Sequence, residues 1–135
     1  MIVQVSRDRR GVILDCQGSL TRSEISQLPG TIRQHCDELA RISYLMIDLT
    51  NAVLSELSTA DLQALASLAL AKAKYVPSPL VAAIVARRDV VFGLSRMWQA
   101  LIDDTGWTTI VCRTRVEADR WIDENVIDIC EEATG

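Results

Sequence analysis

Four arginines in this sequence could together bind an anion. Arg87 and Arg88 follow one apolar run, and Arg113 and Arg115 follow another. Arginine offers paired N–H donors that match phosphate and carboxylate groups, and the free N–H groups at a helix start also favour negative charge. The sequence therefore predicts a local surface that attracts anions. The alternative is that these arginines are solvated beside ordinary helix caps.

Hydroxyl side chains form a second polar group. Ser58 and Thr59 stand at the start of a predicted helix, with Ser55 just before them and Asp61 just after. A serine or threonine at a helix start accepts a hydrogen bond from a free backbone N–H, and an acid there complements the positive helix end. The residues by themselves therefore indicate a helix cap.

Patterns typical of catalysis or of metal binding do not occur in the sequence. It contains one histidine, His35, and four separated cysteines: Cys16, Cys36, Cys112 and Cys130. Zinc sites usually take ligands in close pairs, so we expect buried or spare thiols, no metal and no other cofactor. A nucleophile elbow, a zinc-protease motif and a glycine-rich phosphate loop are also missing. We therefore expect a protein without enzymatic activity, and an enzyme of unknown type is the less favoured alternative.

Strands and helices alternate in the order that would bring these polar groups together. The apolar spacing predicts β-β-α-β-α-β-α-β-α, opening with a β-hairpin over residues 3–5 and 11–16. Such alternation is typical of parallel strands joined by crossover helices. We predict a single α/β domain over residues 1–135, with a five-stranded, largely parallel mixed sheet and about four helices. Because parallel strands end at one edge, the arginines and hydroxyls should meet there.

The predicted bounds of the later elements follow from apolar runs and helix signals. We expect strands over residues 44–47, 80–86 and 108–112, and helices over residues 21–39, 58–73, 89–102 and 114–122. The strand at residue 44 should end at Asp48, and Thr114 and Glu117 match a capping box at the last helix.

The third predicted helix carries a distinct apolar stripe. Asp89 is expected to cap this helix and Gly106 to end it, while Gly93 should permit close packing. The residues expected to cover the sheet are Val90, Leu94, Met97, Trp98, Leu101 and Ile102.

Composition and charge exclude several classes of protein. Apolar residues make up 49% of the chain, which excludes a disordered protein, and the net charge of -4 gives no general attraction to nucleic acid. The residues after Met1 do not follow the order of a secretory signal, and the longest apolar run, residues 80–86, is too short to span a membrane. We expect a cytoplasmic protein with no membrane span.

An apolar group near the end of the chain could support a homodimer. Trp107 follows a helix end, and with Val126, Ile127 and Ile129 it could form an exposed apolar surface. If these side chains pack inside the domain, this argument fails.

Several segments resemble a known family. Residues 45–50, Leu-Met-Ile-Asp-Leu-Thr, followed by Ser58 and Thr59, resemble the STAS domain of anti-sigma-factor antagonists. Residues 81–85, 89–98, 109–113 and 118–122 are similar to the SpoIIAA-like bacterial proteins, a STAS-related group that also resembles CRAL-TRIO lipid-binding domains.

The STAS resemblance implies a regulatory module that binds a kinase or a sigma-regulator type of protein. In STAS switches, a serine near the start of the second helix is phosphorylated, and the added charge releases a partner. Ser58, Thr59 and Ser55 are the candidate phosphoacceptors. This chain departs from the family pattern, because residues 56–59 contain no glycine and an ungapped match places Leu57 on the phosphoacceptor.

The CRAL-TRIO likeness implies a different class of function. It predicts a domain that binds a small apolar ligand or a lipid in a substantial apolar pocket near Trp98. A regulatory module predicts a filled core instead.

Overall fold

The computed structural model describes residues 2–7, 11–19, 21, 23–24, 27, 44–54, 58–73 and 81–134. The described strands are β1 (Ile2–Arg7), β2 (Gly11–Ser19), β3 (Tyr44–Val53), β4 (Val81–Val85) and β5 (Thr108–Cys112). The described helices are α1 (Thr59–Ala73), α2 (Asp89–Leu101) and α3 (Arg115–Thr134), with a short 3-10 turn at Asp103–Thr105.

The five strands form one sheet in the order β1-β2-β3-β4-β5. The pair β1 and β2 is antiparallel, and each later pair is parallel. The predicted α/β class, with an opening hairpin and a largely parallel sheet, is therefore confirmed. Helix α1 corresponds to the predicted second helix.

Most of the predicted first helix lies outside the described residues. His35 and Cys36 belong to that part of the sequence. Ser23, Glu24 and Gln27 are helical, and the Glu24 backbone N–H donates to Thr21 Oγ1 at 3.2 Å. The described residues at this point therefore agree with a helix that begins near Thr21.

Alternating side chains of the sheet form two separate apolar clusters. All of β4 is buried: Ala82 and Ile84 join a cluster that includes Val91 of α2, whereas Val81, Ala83 and Val85 join a cluster that includes Ala118 of α3. Successive side chains of a strand point to opposite faces. Helix α2 therefore covers one face and α3 the other, while α1 packs beside α2.

Strand β3 is longer than the sequence pattern predicts. It continues through Asp48 to Val53, so the expected end at Asp48 is wrong. The carboxylate of Asp48 is buried and accepts a hydrogen bond from the Thr50 backbone N–H at 3.0 Å. A charged side chain that has partners inside the fold does not need to mark the end of a strand.

The apolar stripe predicted on α2 covers the sheet only in part. Val90, Met97 and Leu101 are 69%, 42% and 37% exposed. The buried side chains of the helix are Val91 and Ser95, and Ile102 is buried just after its end. Leu94 and Trp98 contact the core while only partly buried. Three of the six predicted residues, Leu94, Trp98 and Ile102, therefore face the core together with Val91 and Ser95, and the other three face solvent.

Of the two glycines singled out on this segment, one has its predicted role and the other does not. Gly106 has a φ of 77° and ends the 3-10 turn that follows α2, which agrees with its predicted role. The prediction that Gly93 permits close packing is wrong, because a Cβ there would meet no atom within 4 Å.

Strand β5 is the outermost strand on its side of the described sheet, and a side chain of α2 bonds to it. The Gln99 side-chain amide donates to the backbone oxygen of Thr109 at 3.0 Å and also lies 3.0 Å from Thr109 Oγ1. The Cys112 carbonyl accepts the Ala86 N–H at 2.8 Å and so points toward β4. Since carbonyls alternate in direction along a strand, that of Thr109 points away from β4.

Candidate functional site

The segments that follow β3, β4 and β5 lie at the carboxyl edge of the parallel sheet. We use "carboxyl edge" for residues 53–54, 58–59, 86–91 and 113–116. The structure places Ser58, Thr59, Arg87, Arg88, Arg113 and Arg115 in this region. Ser55 lies outside the described residues.

Ser58 caps helix α1 through a reciprocal pair of hydrogen bonds. The Asp61 backbone N–H donates to Ser58 Oγ at 3.2 Å, and the Ser58 backbone N–H donates to Asp61 Oδ2 at 2.9 Å. This is a capping box with an aspartate in place of the usual glutamate. Thr59, the first residue of α1, is exposed and its side chain makes no hydrogen bond with the described residues.

Arg113 is held by three groups at the start of α2. Its Nη1 lies 2.7 Å from Asp89 Oδ1 and donates to the Arg87 carbonyl at 3.2 Å. Its guanidinium carbon lies 4.0 Å from the centre of the Phe92 ring, a cation–π distance. The donors of Arg113 are therefore directed toward groups of the protein itself.

Asp89 does not cap α2 as predicted. The cap position is occupied by Arg88, whose side chain makes no cap hydrogen bond. Asp89 is the first helical residue, and its carboxylate is turned to Arg113 instead. By contrast, α3 has the predicted Thr114 cap, because the Glu117 backbone N–H donates to Thr114 Oγ1 at 3.2 Å.

Arg115 links the start of α3 to the buried carboxylate of β3. Its Nη1 lies 3.3 Å from Asp48 Oδ2, and its Nε lies 3.3 Å from Asp119 Oδ1. The side chain of Asp48 is only 11% exposed and also accepts from the Thr50 hydroxyl at 2.5 Å. Sequence reasoning missed this pair, because its two members are separated by 67 positions.

Arg87 and Arg88 are the two arginines of the edge without a side-chain partner among the described residues. Both are exposed. The predicted group of four arginines therefore divides in two. Arg113 and Arg115 join secondary structure elements, while Arg87 and Arg88 are available to a ligand or partner.

An open apolar groove lies between the end of β3 and the start of α2. Its volume is about 310 Å³. Val91 and Leu54 are buried, whereas Val90 is largely exposed. We call this the β3–α2 groove, and its lining consists of Val53, Leu54, Arg88, Asp89, Val90 and Val91. Sequence reasoning predicted that these segments meet at one edge, but it missed the groove, because no local pattern shows that valine and leucine side chains there leave an apolar depression.

The cysteines that the structure describes are buried, as predicted. Cys16 and Cys112 are free thiols. Burial raises the pKa of Cys16 to about 11, with smaller contributions from the charges of Asp15 and Asp48, and burial likewise raises the pKa of Cys112. Within the described part of the chain, no group of three or more potential ligands is arranged for a metal ion. The side chain of Cys130 lies outside that part.

Two of the residues proposed for a homodimer surface pack inside the protein. Val126 is fully buried in the cluster beneath α3, and Trp107 is partly buried against the cluster beneath α2. They do not form the exposed apolar surface that was expected, because they complete the two halves of the core. The side chains of Ile127 and Ile129 lie outside the described residues.

Among the helices described, none has both the length and the apolar character that a bilayer span requires.

A solved structure is similar to this fold over most of the chain. It is an uncharacterized protein of the DUF3478 family with a SpoIIAA-like fold, from Shewanella loihica PV-4. The match has a TM-score of 0.56 and 16% sequence identity, and it covers 89% of this chain and 91% of that chain. No protein-family model and no curated protein matches the sequence. The architecture and this similarity together show that the chain has a SpoIIAA-like fold.

Proposed function

We propose that this protein is a non-enzymatic regulatory module that binds a partner protein at its carboxyl edge. The observation that carries the proposal is the open β3–α2 groove at the same edge as the exposed start of α1. The SpoIIAA-like fold supports this function, since STAS-like domains act by presenting such a surface to a kinase or a sigma-regulator type of protein. In this role the protein itself does not make or break a covalent bond in its partner.

A lipid-binding function receives less support from the described core. Trp98, which was expected near an apolar pocket, packs against the cluster beneath α2. The groove is open to solvent and has a volume of about 310 Å³. Pockets for small apolar ligands usually enclose most of the ligand surface. A protein surface that covers the groove from outside suits this geometry better.

Thr59 is the better candidate for a regulatory phosphorylation. Its hydroxyl is exposed and makes no hydrogen bond with the described residues, whereas the Ser58 oxygen accepts the Asp61 N–H. A phosphate on Ser58 would bring nearly two negative charges close to the Asp61 carboxylate. A phosphate on Thr59 would stand in solvent at the helix start, where its charge is favourable for the helix and can still repel an acidic partner.

Site-specific crosslinking in the native host tests where the partner binds. A photoreactive amino acid is placed at Thr59 and, as a matched control, at Glu124, which is exposed on α3. We expect a discrete crosslinked protein from position 59 and none from position 124. Identical products from both positions, or none from either, would contradict binding at the carboxyl edge.

Phosphoprotein mass spectrometry on the same material tests the switch. We expect modification at Thr59 in a fraction of the molecules. Consistently unmodified Ser55, Ser58 and Thr59 under conditions in which the crosslinked partner is bound and released would remove the phosphorylation step and leave the docking function.

A further inference from the structure

We infer that the β3–α2 groove binds a short acidic segment of the partner, which places one aliphatic side chain against the groove valines and one carboxylate on Arg88. This inference rests on the proposed function and specifies the chemistry of the partner. Four observations carry it: the apolar lining, the exposed Val90, the lack of a described side-chain partner for Arg88, and the start of α2, which the Arg88 side chain does not cap.

The apolar part of the groove has a buried floor and an exposed rim. Leu54 and Val91 are buried. Val90, which also lines the groove, is 69% exposed. An aliphatic side chain placed there would remove the Val90 side chain from water, and apolar area removed from water favours binding. The other strongly exposed valine of this edge, Val116 at 67%, is not part of the groove lining.

The charge left unbalanced at the groove is positive. Asp89 also lines the groove, but its carboxylate is paired with Arg113 at 2.7 Å. Arg88 has no side-chain partner among the described residues, and its side chain does not cap the first N–H groups of α2. A carboxylate that reached this point would meet an arginine and the positive end of a helix together. An acidic segment thus complements the groove, in a chain whose net charge is -4.

Peptide titrations followed by NMR of the full-length protein test this inference. The probe is a capped peptide with one leucine followed by two glutamates, and its counterpart carries two glutamines instead. We expect the glutamate peptide to shift the amide signals of residues 53–54 and 88–91, and to bind about tenfold more tightly than the glutamine peptide. Equal binding of the two peptides, or shifts confined to other parts of the protein, would overturn the inference.

Matched variants distinguish binding in the groove from general electrostatic attraction of the peptide to the protein surface. Arg88→Ala should weaken the glutamate peptide about tenfold, whereas Arg87→Ala, which removes the same charge outside the groove lining, should change its affinity by less than about twofold. Val90→Ser should weaken it about fourfold, and Val116→Ser should not. Equal effects of Arg87→Ala and Arg88→Ala would overturn the inference.

Two further experiments test whether a different ligand occupies the β3–α2 groove. Binding of decanoate at the same signals without peptide binding would replace the acidic segment with a free fatty acid. Self-association in sedimentation that Arg88→Ala abolishes would replace it with a second copy of the chain. Both results would overturn the inference. If Arg88→Ala leaves the Thr59 crosslink intact, the proposed function stands and only the inferred groove chemistry fails.

Discussion

Replacing Gly11 or Gly93 with alanine should have opposite effects on stability, because the two residues have different surroundings. A Cβ on Gly11 would overlap the Tyr44 carbonyl oxygen, whereas a Cβ on Gly93 would meet nothing within 4 Å. We expect Gly11→Ala to lower the free energy of unfolding by about 1–3 kcal/mol, because backbone must move to admit the methyl group. Gly93→Ala should raise it by about 0.5–1 kcal/mol, because alanine favours a helix.

Urea unfolding of the two variants beside the parent chain measures both effects. The slopes of the three transitions should agree, so that the midpoints report stability. A destabilising Gly93→Ala variant would mean that the exposed side of α2 is less open than the structure shows.

The Cys16 thiol predicts a loss of stability in alkaline solution. Burial raises its pKa from 9.0 to about 11. As the pH rises, the unfolded chain therefore loses this proton first, and the folded state becomes less stable over this interval. We expect urea midpoints to be unaffected by Cys16 below about pH 9 and to fall between about pH 9 and 11.

Replacing Cys16 with alanine supplies the comparison. The variant should be less stable at neutral pH because a buried atom is lost, but its stability should fall less steeply over the same pH interval. The remaining slope includes Cys112, whose pKa burial also raises. Parallel pH profiles for parent and variant would show that Cys16 does not resist ionisation.

At the scale of the elements, the hydrogen bonds at the start of α1 indicate which of its two hydroxyl side chains stabilises the fold. Ser58→Ala should lower the free energy of unfolding by about 1 kcal/mol, because the Asp61 N–H loses its acceptor. Thr59→Ala should change it by less than about 0.5 kcal/mol, since that hydroxyl is exposed. Thermal or urea unfolding distinguishes these values. Equal losses would assign Thr59 a structural role and weaken it as a phosphoacceptor.

Local patterns predicted some strands and caps, but they missed the end of β3 and the cap at the start of α2. Strand β5 has the predicted bounds, and Thr114 caps α3 as its spacing indicated. Helix α2 was predicted less accurately, since its apolar residues extend around more of the helix than the sheet can cover. A sequence shows that Val90 is apolar, but only the packing of α2 beside α1 and the sheet decides which apolar residues face solvent.

The candidate site was less predictable than the fold, for a related reason. The carboxyl edge follows from parallel topology, so the sequence could place Arg88 and Ser58 in the same region. Contacts between distant segments then decided the role of each arginine. Arg113 meets Asp89 across 24 positions, and neither residue has a local signal for that pairing.

At the scale of the whole molecule, the two buried clusters of the described residues lead us to expect that the protein carries no lipid. Both faces of β4 are buried, and α2 and α3 supply the side chains that cover them. Protein isolated gently from its own cells should therefore show the mass of the chain alone in native mass spectrometry. A stoichiometric apolar adduct that survives purification would contradict the regulatory proposal and favour the lipid-binding alternative.

The bond between Gln99 and Thr109 also bears on how another strand could pair with β5. Strand β5 ends the described sheet, and an unpaired outer strand is a template on which another chain can add a strand. The outward Thr109 carbonyl is already taken by the Gln99 amide. A neighbouring strand that paired with β5 at Thr109 would have to displace this side chain first, so α2 obstructs strand addition at that position.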